Sequence, residues 1–212
     1  MPVASSSSGP DVPGAPAKKG LPCAVIAVIV IVAMVPVLGV LSALAIYGVR
    51  RYLAAAKTAE AKNTVSAISR SAAAAYEKER LDANGRPGHA LCASNGAAAP
   101  GHGPVPRSLA ALRGKKYMPG GAGVDFDTGT ADGGWRCLGF SISTPTYYQY
   151  HYNQGSGYLM PSLGTSPDGF EAAAVGDIDA DGVASKFARH GEVSPGGQLV
   201  LGTQIAIENE FE

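Results

Sequence analysis

The longest hydrophobic run of the chain occupies residues 21–49, which contain no charged side chain. About 20 apolar residues at a rise of ~1.5 Å each cross the ~30 Å hydrocarbon core of a bilayer, so this run predicts a transmembrane helix. Residues 50–81 follow without a turn signal and are rich in Ala, Glu, Lys and Arg, with a rough helical stripe of apolar positions. We therefore expect one continuous helix, whose second part is a stalk with one face against a folded head.

The hydrophobic pattern changes after the stalk. Residues 82–134 are crowded with Gly, Pro and Ala, and only residues 109–112 suggest a helical turn. This stretch is predicted to be a loosely structured connection. Residues 135–212 contain short aromatic and β-branched runs, which predict a head made of an antiparallel β-sheet.

Four or five strands are expected in this head, arranged as a meander on the long helix. The first two should form a hairpin, and its second strand alternates Tyr with polar residues, which predicts one buried and one wet face. The pattern as a whole predicts an α+β fold, a long N-terminal transmembrane-plus-stalk helix packed on a C-terminal antiparallel sheet. The predicted strands are residues 135–143, 146–152, 170–178, 184–190 and 199–207.

Residues 1–20 are dominated by Ser, Pro, Gly and Ala and end in a basic pair before Gly20. This composition cannot bury a core and predicts a disordered leader or cytoplasmic tail. The apolar run behind it is longer than the ~7 to 15 residue core of a secretory signal, so we expect it to remain as an anchor. Orientation stays open, since Lys18-Lys19 flank one end of the run and Arg50-Arg51 the other.

Charge is divided unevenly along a chain whose formal net charge is zero. Residues 1–81 carry nine Lys and Arg against four Asp and Glu, while residues 82–212 carry eight against thirteen. The folded part therefore lacks the basic excess typical of nucleic-acid binding. Two interpretations of the separated charge remain: it helps neighbouring subunits associate, or it is solvated surface.

The run GVLSALAIYGVRRY at residues 39–52, followed by AKTAEAK, resembles the N-terminal helix of type IV pilins and type II secretion pseudopilins. The resemblance covers residues 21–80, and the order of parts fits the remainder. It implies cleavage between Gly20 and Leu21, an apolar helix that anchors the subunit before assembly and forms the filament core afterwards, and a β-sheet head. It also implies a bacterial inner-membrane location with the head in the periplasm, or a cell-surface pilus. The expected partners are the membrane, further copies of the chain or other pilin-like subunits.

The chain departs from the family pattern at the start of this helix. Counted from a cut after Gly20, the fifth residue is Val25, where the family usually carries Glu. Alignment on residues 39–46 instead places Val30 at that position and Tyr47 where Pro is usual. The carboxylate that guides neighbouring subunits in the family is thus missing in both registers.

Two of the three cysteines, Cys92 and Cys137, fall in the part of the chain that would be exported, whereas Cys23 lies at the membrane edge. An oxidising compartment favours one disulfide between Cys92 and Cys137, and a reducing compartment would leave two buried thiols. The bridge would stabilise the head by about 4 kcal/mol on the chain-entropy account.

The segment DIDADG at residues 177–182 is the one stretch whose spacing has specific chemistry. Asp177, Asp179 and Asp181 alternate before a Gly, as at the start of a calcium loop. The twelfth position is Ala188, which excludes an EF-hand. Two interpretations remain: a turn between strands that holds calcium with help from Ser185 and backbone oxygens, or a solvated acidic turn.

Signals of catalysis are missing from the sequence. It contains no Gly-x-Ser-x-Gly, P-loop, His-Glu-x-x-His or Cys-x-x-Cys motif, and His89, His102, His151 and His190 have no ligand spacing. We therefore expect no catalytic residues and no enzyme, and no cofactor other than the possible calcium. Two functions remain: a self-assembling pilin-like subunit, or a non-polymerising single-pass envelope protein whose head binds a ligand or partner.

Overall fold

The computed structural model describes residues 22–81, 85–94, 103–164 and 166–211. A single helix, α1, runs over Cys23–Tyr76 with Pro36 inside it. The chain divides into two compact units between Val49 and Arg50. The predictions for residues 1–20, and the cleavage site between Gly20 and Leu21, lie outside the described residues.

The described part of the first unit is the apolar half of α1. Every residue from 23 to 49 is exposed in the single chain, and its large hydrophobic side chains are between 40% and 66% exposed. The hydroxyl of Ser42 donates to Leu38 O at 2.7 Å, so its donor is satisfied inside the helix. The helix is long and apolar enough to cross a membrane, which confirms this part of the sequence prediction.

The second unit contains the other half of α1, which has one buried stripe. The stripe residues recur at helical spacing, so they lie along a single face. Three of them are alanines, which let the helix approach its partner closely. The buried stripe consists of Ala61, Val65, Ile68, Ala72 and Ala75.

Seven strands follow α1 in the described residues. A short antiparallel ribbon comes first, made of β1 (Arg80–Leu81) and β2 (Pro87–Gly88). The main antiparallel sheet has five strands, with β3, β4 and β5 adjacent in that order and β6 and β7 both paired with β5. Its strands are β3 (Gln149–Gln154), β4 (Gly169–Gly176), β5 (Ser185–Val193), β6 (Leu199–Leu201) and β7 (Ala206–Glu208).

One face of this sheet forms the core with the stripe of α1. In register across the three long strands, Tyr150 lies opposite Ala174, which lies opposite Phe187. Alanines on the central strand between rows of rings leave room for a helix. All three residues belong to the same buried cluster as Val65 and Ile68. The α+β fold, with the long helix packed on a C-terminal antiparallel sheet, is therefore confirmed.

The opposite face of the sheet is covered, whereas the sequence pattern predicts a wet face there. Gln149 and Asn153 on this side of β3 are buried. Gln149 Nε2 donates to Pro106 O at 2.6 Å, from the connection before the sheet. Met160, in the segment between β3 and β4, packs with Ala173 on the same face. Alternation could not reveal a cover made by loops.

The first predicted hairpin is wrong. Residues 135–143 form no strand, and the short helix α2 occupies Gly134–Leu138. Gly139, with φ of 63°, ends this helix in the left-handed conformation that favours glycine. Trp135 is fully buried and donates Nε1–H to Gly103 O at 3.2 Å, so tertiary packing overrides the strand preference of the aromatic residues.

The last predicted strand, residues 199–207, is divided into β6 and β7. The two pair with different halves of β5, at residues 191–193 and residues 186–188. Between them, the Arg189 side chain donates Nε–H to Gly202 O at 2.7 Å, and the backbone N–H of Gly202 donates to His190 O at 2.9 Å. By contrast, the helical turn expected at residues 109–112 is present as a 3₁₀ helix over Leu109–Ala111.

The predicted disulfide between Cys92 and Cys137 is present. Their Cα atoms lie 5.8 Å apart, and both residues are buried. The bridge ties α2 to the connection 45 residues earlier in the chain. Cys23 is free and exposed.

Replacing Cys92 by Ser is expected to lower the free energy of unfolding by about 4 kcal/mol, because the unfolded chain loses a closed loop. Thermal or denaturant unfolding of the full-length protein in detergent measures the change. The matched Cys23→Ser variant should unfold like the parent. An unchanged midpoint for Cys92→Ser would contradict the stabilising role of the bridge.

Candidate functional site

The first candidate surface is the exposed apolar half of α1. It carries small residues at Gly39 and Gly48, and a Cβ added at either glycine would meet nothing within 4 Å. Another helix could therefore approach closely there. Val25 and Val30, the two positions where the resembled family would place Glu, are both exposed and apolar. An exposed apolar surface of this size is suited to contact with lipid or with another apolar surface.

The second candidate is the acidic loop, residues 177–182, which connects β4 to β5. The structure brings Asp177, Asp179 and Asp181 together, with one carboxylate oxygen from each within 4.8 Å of the others. Asp177 is buried, and the other two are exposed. Three carboxylates at this separation repel one another unless a cation lies near them.

Local backbone geometry explains how the acidic loop is built. Asp179 Oδ1 accepts the N–H of Asp181 at 3.3 Å, and Asp181 Oδ1 accepts the N–H of Val183 at 2.7 Å. Ala180 and Gly182 both have positive φ, at 66° and 97°. Asp and Gly are thus favoured here by turn geometry as well as by any ligand.

Asp177 distinguishes this loop from an ordinary acidic turn. Its side chain is 2% exposed, and its Oδ2 accepts the Nε–H of Arg113 at 3.2 Å. Its Oδ1 is buried with no hydrogen-bond partner among the described residues. A buried carboxylate oxygen without a donor is costly, so the position favours one more cation or donor. Ser185 lies nearby in β5, buried, with its hydroxyl donating to Gly176 O at 3.0 Å.

A third candidate is an open groove of about 540 Å³ at the end of α1. Tyr76 forms part of its wall, and the Tyr76 ring lies 5.7 Å from the ring of His89. His89 Nδ1 donates to Tyr76 O at 3.0 Å, which fixes the imidazole. Asp168 and Glu192 line the same groove. It could accept a small polar or cationic ligand.

A row of polar side chains lies on the covered face of the sheet and has no signal in the sequence. Glu171 is fully buried, opposite Asn153 on one neighbouring strand and His190 on the other. Glu171 accepts the N–H groups of Leu159 at 2.8 Å and Met160 at 3.5 Å. The buried carboxylate therefore fastens the segment between β3 and β4 to the sheet. Only the folded arrangement identifies this role.

The described histidines occupy separate places, as their spacing predicts. His89 is in the groove beside Tyr76, and His151 and His190 are on β3 and β5. His102 lies outside the described residues. Among the residues that the structure describes, the acidic loop is the one group of His, Cys, Asp and Glu side chains that could share a metal ion.

Comparison of the chain with protein-family models, with curated proteins and with solved structures finds no match.

Stability should depend on pH through His151. Burial lowers the pKa of His151 from 6.5 to about 4, and Nε2–H donates to Gln149 Oε1 at 3.0 Å. Between these two values the unfolded state binds more protons than the folded state. The stabilising contribution is therefore complete above about pH 6.5 and is lost as the pH falls towards 4. Denaturant unfolding at several pH values measures this slope.

A His151→Gln variant isolates the contribution of this group from the carboxylates that also titrate in acid. Its free energy of unfolding should fall less steeply than that of the parent between pH 6.5 and pH 4. Parallel slopes for the parent and His151→Gln would show that His151 does not carry the effect.

Proposed function

We propose that this chain is a structural pilin-like subunit of a type IV pilus or a type II secretion pseudopilus. Residues 21–49 anchor it in the membrane, and it self-assembles through the same helix. The observation that carries the proposal is the contrast within α1: its apolar half is exposed in the single chain, while its other half has one stripe buried against the head. A subunit that exchanges a bilayer for neighbouring helices needs this division.

Two environments, the bilayer and then the filament, would cover the apolar surface of α1 one after the other. Before assembly, lipid tails cover the side chains of residues 23–49, and in a filament the helices of other subunits replace them. With Val25 and Val30 in place of a carboxylate, this association depends on close packing at small residues such as Gly39 and Ala43. The role requires no catalytic residue.

Location and partners follow from the same proposal. A disulfide between Cys92 and Cys137 suits a head in an oxidising compartment, which favours the periplasm or the cell surface. The chain then lies in the bacterial inner membrane with its head in the periplasm, or in a cell-surface pilus. Its partners are the membrane and either further copies of itself or other pilin-like subunits, and no role with nucleic acid is proposed.

A second candidate function is a non-polymerising single-pass envelope protein whose head binds a ligand or partner. Val25 and Val30 favour it, since neither supplies the carboxylate that guides assembly in the resembled family. The groove beside Tyr76 offers a place for the ligand. N-terminal sequencing of the membrane-extracted protein separates the two: a start at Leu21 supports processing and assembly, and an intact Met1 supports the anchor.

Assembly predicts a cross-linking pattern. A Ser42→Cys chain has two reactive thiols in α1, because Cys23 is free and Cys92 is bridged to Cys137. In a filament, each thiol meets a different neighbour, so a bifunctional thiol reagent applied to membranes or sheared cell surfaces should produce a ladder of dimers, trimers and larger species. Denaturing electrophoresis under non-reducing conditions measures it.

The matched control is the Cys23→Ser, Ser42→Cys double variant, which has one reactive thiol and should stop at dimers. A ladder from both variants would show that a further group, such as a reduced Cys92 or Cys137, reacts with the reagent. Monomers alone from the chain with two thiols, at normal membrane content, would contradict self-assembly and favour the single-pass anchor.

We further propose that the acidic loop binds calcium. The unpartnered Oδ1 of the buried Asp177 supports this, because a hard cation prefers carboxylate oxygens and would neutralise the loop. In Asp179 and in Asp181, one carboxylate oxygen accepts a hydrogen bond within the turn, and the other oxygen is available to a cation. Ser185 or backbone carbonyls would complete the set of ligands. Arg113, bound to the other oxygen of Asp177, already supplies one positive charge, so the affinity should be modest.

Calcium should raise the melting temperature of the full-length protein in detergent. With a dissociation constant of about 1 mM, typical of weak extracellular sites, about 10 mM calcium stabilises the folded state by roughly 1.4 kcal/mol, which is a shift of about 3 to 6 °C. Asp181→Asn should remove the shift. The control Asp168→Asn, an exposed carboxylate in the groove beside Tyr76, should keep it.

An equal calcium shift in the parent and in Asp181→Asn would place the ion elsewhere. The absence of any shift between calcium and chelator would indicate a solvated acidic turn.

A further inference from the structure

A second groove, of about 220 Å³, lies at the start of the folded unit. Arg50, Leu53 and Lys57 line it from α1, and Phe211 lines it from the end of the chain. Leu53 and Phe211 are 53% and 55% exposed, so the groove has an apolar floor open to its surroundings. Asp179 is the one carboxylate among its lining residues.

The end of the chain is fastened beside this groove. Glu210 forms an ion pair with Lys62, and its carbonyl oxygen accepts the hydroxyl of Thr58 at 3.1 Å. Both partners belong to α1. Phe211 follows Glu210 directly, and its side chain is exposed.

Two ammonium groups are held against one aromatic ring next to the groove. Lys57 Nζ lies 4.7 Å and Lys116 Nζ 4.5 Å from the centroid of the Tyr147 ring. The backbone N–H of Tyr147 donates to Glu60 Oε1 at 2.9 Å. This hydrogen bond ties the chain just before β3 to α1 and places the Glu60 carboxylate near the Tyr147 ring. Among the groove lining and the groups around Tyr147, Arg50, Lys57 and Lys116 outnumber Glu60 and Asp179. Asp177 and Asp181 lie beside Asp179, and Arg113 pairs with Asp177. Confined cations of this kind attract an anion.

We propose that the juxtamembrane surface, formed by Arg50, Leu53, Lys57, Lys116 and Phe211, docks on the phosphate headgroups of anionic lipids. Arg50 directly follows Val49, the last residue of the apolar run, and Lys57 is only ~12 Å of helix beyond it. Lipid phosphates are therefore the first anions within reach once that run spans a bilayer. Basic side chains with an exposed aromatic ring are the combination that membrane interfaces bind.

This inference rests on the anchoring part of the proposed function and not on assembly. Docking would hold the head against the bilayer before any filament forms. A second copy of the chain is the competing occupant of the surface, and the experiment separates the two.

The test uses the full-length Phe211→Trp variant, one copy per nanodisc, with chelator present. The native Trp135 is fully buried and supplies a constant background. Quenching of the new indole by lipids with nitroxide-labelled headgroups should be at least about twofold stronger with one third phosphatidylglycerol than with phosphatidylcholine alone. About 0.5 M salt should reduce it to the phosphatidylcholine level.

Charge variants in the same background identify the side chains. Each basic residue near an anionic surface contributes a factor of about five, so Lys57→Gln with Lys116→Gln should lower the ratio of docked to undocked heads about 25-fold. The control Arg70→Gln removes an exposed charge elsewhere on α1 and should have no effect. Tyr158→Trp, an exposed aromatic position outside the surface, should show no dependence on lipid charge.

Equal quenching in the two lipids after insertion, or an unchanged value in the double Lys variant, overturns docking alone. Shielding of the new indole that is absent at one copy per disc and grows with copy number makes a second chain the occupant and also overturns it. Failure of the chain to enter nanodiscs overturns the anchoring proposal together with this one.

Discussion

The structure depends on the contact between one stripe of α1 and one face of the sheet. Val65 and Ile68 supply the larger side chains of the helix, and alanines on either side of them allow a close approach. On the sheet, Ala174 lies between Tyr150 and Phe187. The central strand therefore presents a small side chain between the large rings of its two neighbours. Burial of these apolar surfaces is the main term that stabilises such a unit. The disulfide, the loops over the second face of the sheet and the ion pair of Glu210 with Lys62 add further stabilisation to this contact.

The sequence was sufficient for those features that local pattern determines. Continuous apolar composition identified the helix, and the α+β class and the disulfide followed from the order of parts and the placement of cysteines. Prediction from the sequence failed where contacts between residues far apart in the chain determine the local structure. Trp135 resembles a strand residue by type but is held in α2 by packing and a bond to Gly103. Glu171 is buried, and Asp177 Oδ1 has no hydrogen-bond partner, because of the way loops cover the strands. The periodicity of the sequence carries no information about that cover.

In the acidic loop, the residues that stabilise the turn are also those of the proposed calcium site. Asp179 and Asp181 each use one oxygen to stabilise the turn, and Asp177 uses one to hold Arg113. The remaining oxygens are the ones available to a cation. The sequence predicts the carboxylates at this place, while the role of Arg113 as a resident counter-ion could be found only from the fold.

The outer edge of the sheet is divided into β6 and β7, which limits strand pairing between copies of the chain at high density. A long exposed strand is a template on which another chain can pair without limit. Here each outer strand has three residues, and the two pair with separate parts of β5. The head thus offers no extended run for strand exchange at this edge. A polymer of such chains could be ordered by its helices without strand pairing between heads at this edge.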